Sequence, residues 1–162
     1  MAVVLPQIAV YLGPNMRGAP DAIRIPLEAT LGAYDHHLVA SQQLADRTLV
    51  NHLLEAQQLE VLLESQYLVE RQPVLKSELW TGGGDYEENR QCLLAVLRSA
   101  KRVCLDTVGT ALQHANFVVS TVPRAIDTVF PQKVILTSAN FAPGSLAKHF
   151  NWLAVLDSEA FA

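Results

Sequence analysis

The sequence predicts a mostly α-helical fold: an antiparallel pair of long amphipathic helices, a short C-terminal helix, and one or two short peripheral strands or extended arms. Three observations predict it. Across residues 85–122, Leu93, Leu97, Ala100, Cys104, Val108, Ala111, Ala115, Val118 and Val122 recur at steps of three and four, the spacing of one buried helical face. Across residues 26–70, Leu27, Leu31, Tyr34, Leu38, Ala45, Leu49, Leu53, Ala56, Leu63 and Tyr67 keep the same spacing, with no proline before Pro73. Residues 72–84 between them are long enough for an antiparallel return.

Taken in order, residues 1–162 read as a single domain. Residues 1–25 form an extended N-terminal arm or an edge strand, since Pro6 confines the strand-like segment 7–12 to an edge. Gly13-Pro14 and Gly18-Ala19-Pro20 then break the chain. Residues 26–122 form the helical hairpin. Pro26 suits a first helical turn, and the triplet Asp35-His36-His37 marks the place where the first helix could divide. Gly82-Gly83-Gly84 precedes Asp85, with Glu88 three residues on, a capping-box pattern for the second helix. Gly109 marks a close helix crossing, and Pro123 ends the helix. Residues 123–162 hold a strand over 133–138 and a short helix capped by Ser145, in which Leu146, Phe150 and Leu153 share a face.

Half the residues are hydrophobic and 17% are charged. Leu44, Val50, Leu54 and Val61 add a second apolar stripe to the first helix, more than a two-helix monomer covers. Those four residues are therefore the expected interface of a homo-oligomer, possible other proteins of an assembly being further partners. The function expected from this is structural: a ring, shell, filament or virus-particle component. A net charge of −4 and a pI near 5.7 argue against holding nucleic acid by phosphate neutralisation. No apolar run is long enough to span a bilayer, and the N-terminus lacks a basic leader, so a cytoplasmic protein, or one within a particle assembled in the cytoplasm, is expected.

The motifs that could carry chemistry are incomplete. Asp35-His36-His37 resembles the triplet of the DHH phosphoesterases, which implies divalent metal held by histidine and several aspartates. The resemblance covers three residues and the further aspartates are not upstream, so the triplet reads as a helix surface or subunit contact. His52 and Glu55 lie three apart on one helical face, in the reverse order of a di-iron motif. The triple glycine lacks the Gly-Lys-Ser/Thr ending of a phosphate loop. Arg98, Lys101 and Arg102 have no interleaved aromatics for nucleic acid and are expected to face Glu55 and Glu60. Cys92 and Cys104, twelve apart on one helix, are read as buried free thiols. Hence no catalytic residue, metal or cofactor is expected. The alternative is a small helical-bundle enzyme or ligand-binding protein in which His37, His52, Glu55 and His114 converge.

Overall fold

The computed structural model describes residues 7–13, 21–63, 86–105, 116–125, 132–147 and 150–158. Along them run β1 (Gln7–Gly13), α1 (Arg24–Ala33), β2 (Tyr34–Ser41), α2 (Arg47–Leu54) and β3 (Gln58–Leu63). Then come α3 (Tyr86–Ser99), β4 (Arg102–Leu105), β5 (Phe117–Pro123), β6 (Gln132–Thr137), α4 (Pro143–Ala147) and β7 (Asn151–Ser158). The seven strands make one mixed sheet in the order β1-β7-β6-β5-β2-β3-β4. β2, β3 and β4 are parallel, whereas β1, β7, β6, β5 and β2 are successively antiparallel. The protein is thus α/β, not mostly α, and the helical hairpin over 26–122 does not exist.

The reason is a degeneracy in the spacing. Residues four apart share a face in a helix, but they also share a face in a strand, where the period is two. Tyr34 and Leu38, Leu59 and Leu63, and Val118 and Val122 are such pairs, and each pair lies in a strand. Intervening residues separate the two geometries. In β3, Leu59, Val61 and Leu63 are buried while Gln58, Glu60 and Leu62 between them are half-exposed, the alternation of a strand with one face on a core. The C-terminal helix is also shorter than expected: Leu146 lies in α4, but Leu153 lies in β7. Strands do fall at 7–13 and 132–137, although β6 is interior rather than peripheral. Gly82 to Asp85, Gly109 and His114 lie outside the described residues.

Helices cover one face of the sheet. Leu27 and Leu31 of α1, Leu49, Val50 and Leu53 of α2, and Leu93 and Val96 of α3 pack with Val39, Leu59, Val61, Val118, Ile135 and Leu153 from the strands. Leu44, Val50 and Val61 are 2%, 4% and 3% exposed inside this single core, and only Leu54 reaches the surface. The stripe assigned to a subunit interface is therefore occupied within one chain. Exposed apolar area exists instead on the opposite sheet face and at β1, where Ile8, Val10, Leu12, Leu38, Leu136 and Trp152 stand in solvent. Cys92 is buried in α3 and Cys104 is exposed in β4, so the two thiols do not share a helix.

Local chemistry fixes the turns. Gly13 ends β1 where a Cβ would sit 3.1 Å from the Ile23 side chain, so the close approach of β1 to the segment before α1 favours glycine. Val122 takes φ 61°, a left-handed backbone costing a β-branched residue about 1–3 kcal/mol, as β5 ends at Pro123. Glu60 and Arg102 do pair, at 3.7 Å, but as register neighbours of parallel strands rather than across a hairpin.

α2 begins at Asp46, whose Oδ1 accepts from the Thr48 and Leu49 backbone N–H groups at 3.1 and 3.2 Å. The Asp46 side chain is 2% exposed and its other oxygen pairs with Arg24 of α1. Asp46→Ala removes a helix cap and leaves Arg24 without that partner. Discounted for the partial exposure of Arg24, the expected loss is about 2 kcal/mol of stability. Asp46→Asn, which keeps the capping oxygen, is expected to lose about half of that, as the shift in urea midpoint will show.

Candidate functional site

The alternation of β2 sends the two histidines of the triplet to opposite sides of the sheet. His36 is half-buried on the open face, whereas His37 is 2% exposed under the helices, its Nδ1 2.8 Å from Ser120 Oγ. Asp35 is taken up by Arg124, whose Nε donates to its Oδ1 at 2.7 Å, and by Gln57 at 3.1 Å. No group of three His, Cys, Asp or Glu side chains able to hold a metal occurs among the described residues. His52 and Glu55 face each other at 3.9 Å at the C-terminal end of α2, whereas His37 pairs with Ser120 of β5 in the sheet. Of the four residues of the bundle alternative, His52 and Glu55 are thus paired with each other and His37 with Ser120, and His114 lies outside the described residues.

A different set of side chains is brought together at one end of the sheet. There β2 and β6 finish while β5 and β7 begin, at the junction of the parallel and antiparallel halves. Crevices at the strand ends of such sheets are where ligands bind in open α/β folds. Ser41 ends β2, and Asn116 leads into β5. Asn116 Oδ1 accepts from Ser41 Oγ and from the Gln42 backbone N–H, each at 3.2 Å. Asn116 Nδ2 donates to Asn140 Oδ1 at 3.1 Å. The Asn140 backbone N–H donates to Ser145 Oγ at 2.9 Å, and Asn151 Nδ2 donates to the Ser145 carbonyl at 2.8 Å. Ser138 Oγ closes the chain, donating to Asn151 Oδ1 at 3.0 Å and accepting from the Trp152 N–H at 3.0 Å.

Ser41, Asn116, Ser145 and Asn151 are all buried, and a buried polar network is retained only when its members are paired. Beside the network, Gln43 Oε1 is buried without a hydrogen-bond partner. An unsatisfied buried carbonyl costs about 1–3 kcal/mol, so it is either met by a ligand or held by its surroundings. Phe141 anchors the assembly. Its carbonyl accepts the Ala45 and Asp46 N–H groups at 2.9 Å, and its N–H donates to Gln43 O at 3.0 Å, joining the loop after β2 to the loop after β6.

Chemically, the cluster is a set of amide and hydroxyl donors and acceptors with no charge among the residues just named. Such groups bind and orient a polar or anionic centre by hydrogen bonds, and no carboxylate among them repels an anion. A second concavity, about 160 Å³, lies on the open sheet face between His36, Gln58, Glu60 and Thr121. Its Glu60 is engaged by Gln58 at 3.3 Å and by Arg102 at 3.7 Å, and its charge disfavours an anion. Sequence reasoning missed the strand-end cluster because its members are drawn from positions near 41, 116 and 138–151. Their one local signal is the run Thr137-Ser138-Ala139-Asn140 with Ser145 and Asn151, polar residues without charge after a strand. Read alone, they look like turn residues.

No family model matches the sequence, and no curated protein matches it. Solved structures do. The phospholipase D family member Nuc from Salmonella typhimurium superposes with a TM-score of 0.64 at 12% identity, over 95% of this chain and 84% of that one. NucT from Helicobacter pylori gives 0.61 at 10% identity, over 95% and 87%. The yeast tyrosyl-DNA phosphodiesterase gives 0.58 at 12% identity, over 93% of this chain but 32% of that longer one. The reading of a non-enzymatic assembly protein is overturned here: its apolar stripe is one chain's core, and its helical hairpin is a mixed sheet. What the chain carries is a seven-strand α/β fold similar to that of these three solved structures.

Proposed function

We propose that the protein is a phosphodiesterase-like enzyme acting on a nucleic-acid phosphodiester at the strand-end cluster. The observation that supports it is the neutral donor network of Ser41, Asn116, Asn140, Ser145 and Asn151 at the sheet end, in a fold similar to that of the yeast tyrosyl-DNA phosphodiesterase. Cleaving a phosphodiester takes a nucleophile, a proton donor for the departing oxygen, and donors for the non-bridging oxygens. The amides and hydroxyls supply the last of these. His114, two residues before Asn116 in the sequence, and His149, two residues before Asn151, are the imidazoles that lie nearest the cluster along the chain, one for each of the first two roles.

Nucleic acid is favoured over a lipid by Phe150, which is 76% exposed and directly precedes Asn151. A base stacked on such a ring contributes about 1–3 kcal/mol. The acidic pI does not oppose this reading. Acting on one phosphodiester needs local donors, while a surplus of surface cations is needed only for broad backbone binding. A homo-oligomer belongs to the same proposal, though not through the four helix-stripe residues.

The test is p-nitrophenol release from bis(p-nitrophenyl) phosphate and cleavage of single-stranded DNA, with phospholipid vesicles as the competing substrate. Asn116→Asp, which replaces a donor with an anionic oxygen, is expected to lower the rate about a hundredfold. His114→Ala is expected to abolish it. Phe150→Ala is expected to raise KM for DNA but not for the small substrate. Melting curves confirm that each variant is folded. Lipid turnover without DNA cleavage, or binding of DNA with no product, would count against the proposal.

A further inference from the structure

Across β2, β3 and β4 the open face of the sheet is divided by polarity. His36 of β2 stands in register with Thr121 of β5 and Gln58 of β3, and Leu38 with Glu60. Glu60 in turn stands beside Arg102 of β4, and Leu62 beside Cys104. These positions share one face because side chains alternate along each strand. At one end of the patch lies the concavity of about 160 Å³ between His36, Gln58, Glu60 and Thr121. At the other lies a hollow of about 510 Å³, lined by Leu38, Leu62, Val103 and Cys104 together with Arg102. Leu38 and Glu60 line both, so the two form one trough with a polar end and an apolar end. Leu38 and Val103 stand 40% and 43% exposed in it, apolar surface that a ligand would remove from water.

We propose that this trough binds a free primary alkylamine, with the ammonium group at Glu60 and the alkyl chain over Leu38, Leu62 and Cys104. The polar end selects the head. Glu60 carries its one carboxylate, with Oε1 taking a hydrogen bond from Gln58 Nε2 at 3.3 Å and Oε2 facing Arg102 at 3.7 Å. A carboxylate accepts at about four lone-pair sites, so both oxygens keep room for a further donor. Gln58 Oε1, the Thr121 hydroxyl and the His36 imidazole are acceptors beside it. A negative charge ringed by acceptors complements a group that is cationic and rich in N–H donors, and it repels a carboxylate or phosphate. The apolar end selects the tail. Gln58 and Leu62 lie four residues apart on β3, about 13 Å, the reach of a medium-length alkyl chain. Arg102 stands between the tail and solvent with its side chain 81% exposed, and its charge opposes a second ammonium, so a monoamine is favoured over a diamine. The volume of the apolar hollow lies in the range of small-molecule sites, which favours a soluble amine over a protein or membrane surface. The trough is a different surface from the strand-end cluster, and the inference does not rest on the proposed activity.

Cys104 reports occupancy of the full chain without any substitution, being exposed on the trough while Cys92 is buried. At about ten times its Kd, n-octylamine is expected to slow alkylation of Cys104 by iodoacetamide about tenfold, by mass action. Calorimetry supplies the affinities. Hexylamine and butylamine are each expected to bind about fivefold more weakly than the amine two methylenes longer, against roughly tenfold for full burial. Octanol, which lacks the charge, octanoate, which reverses it, and octyltrimethylammonium, which lacks the N–H donors, are each expected to bind at least about tenfold more weakly than octylamine. Glu60→Gln is expected to bring octylamine level with octanol. Leu62→Asn is expected to weaken both while leaving the preference for the amine. Melting curves confirm that the variants are folded, and the ligand series on the unsubstituted chain decides the matter if one is not. Equal binding of octanol or octanoate, affinity independent of chain length, or unslowed alkylation of Cys104 overturns the proposal. So does an undiminished preference for the amine in folded Glu60→Gln, or binding to aminophospholipid vesicles without binding to free octylamine.

Discussion

Replacing Phe141 by alanine is expected to lower the unfolding free energy by about 4 kcal/mol, the cost of deleting a fully buried aromatic ring. Phe141 is 0% exposed and belongs to the main core. Its backbone makes three hydrogen bonds to the segment after β2, so the ring fixes two loops as well as filling space. The neighbouring residue, Asn140, accepts from Asn116, so collapse around the lost ring reaches the strand-end cluster directly. Phe141→Leu, which keeps much of the volume, is expected to lose less than about 1.5 kcal/mol. Urea denaturation of the pair separates them, and a loss below about 1 kcal/mol for Phe141→Ala would show that the ring is not where the core closes.

The second large effect is one of pH. Burial holds the His37 imidazole neutral and pushes its pKa down to about 4, from 6.5 in an unfolded chain. The nearby charge of Arg124 acts in the same direction, while the Leu31 and Tyr34 backbone and Asp35 oppose it. Between pH 6.5 and 4 the unfolded chain binds a proton that the folded chain refuses, so stability falls as pH drops through that window. Below pH 4 both states are protonated and this contribution levels off. A displacement of about 2.5 pH units corresponds to roughly 3 kcal/mol lost across the window. His37→Gln removes the titration, so its stability should fall correspondingly less over the same range. Parallel curves for the two proteins, measured by denaturation between pH 7 and pH 4, would place the acid sensitivity elsewhere.

Together these sites show what the fold makes of residues that looked unremarkable in order. Phe141 lies in a segment rich in turn formers, with Asn140 before it and Pro143-Gly144 after it. His37 sat in a triplet that resembled a metal motif. Only the pleat of β2, which sends His36 and His37 to opposite faces, separates the two imidazoles. Asn116 and Asn151 were invisible as a pair because 34 positions of chain separate them, and the hydrogen-bonding partners of a neutral amide leave no pattern in sequence.

By itself, the sequence determined the local signals. It placed an extended arm or edge strand behind Pro6, strand-forming residues at 133–138, a helix start after Gly84, and enough apolar surface for a full core. It did not determine the fold class, since residues four apart share a face in helices and strands alike, and β2, β3 and β4 satisfy the helical spacing almost as well as a helix does. Tertiary structure decided that, by pairing 34–41 with 58–63 and 117–123 in one sheet and placing three helices over it. The candidate site follows from the same pairing. Strand ends are neighbours only after the sheet is assembled, and it is there that amides and hydroxyls far apart in the chain come within 3.0–3.2 Å of one another.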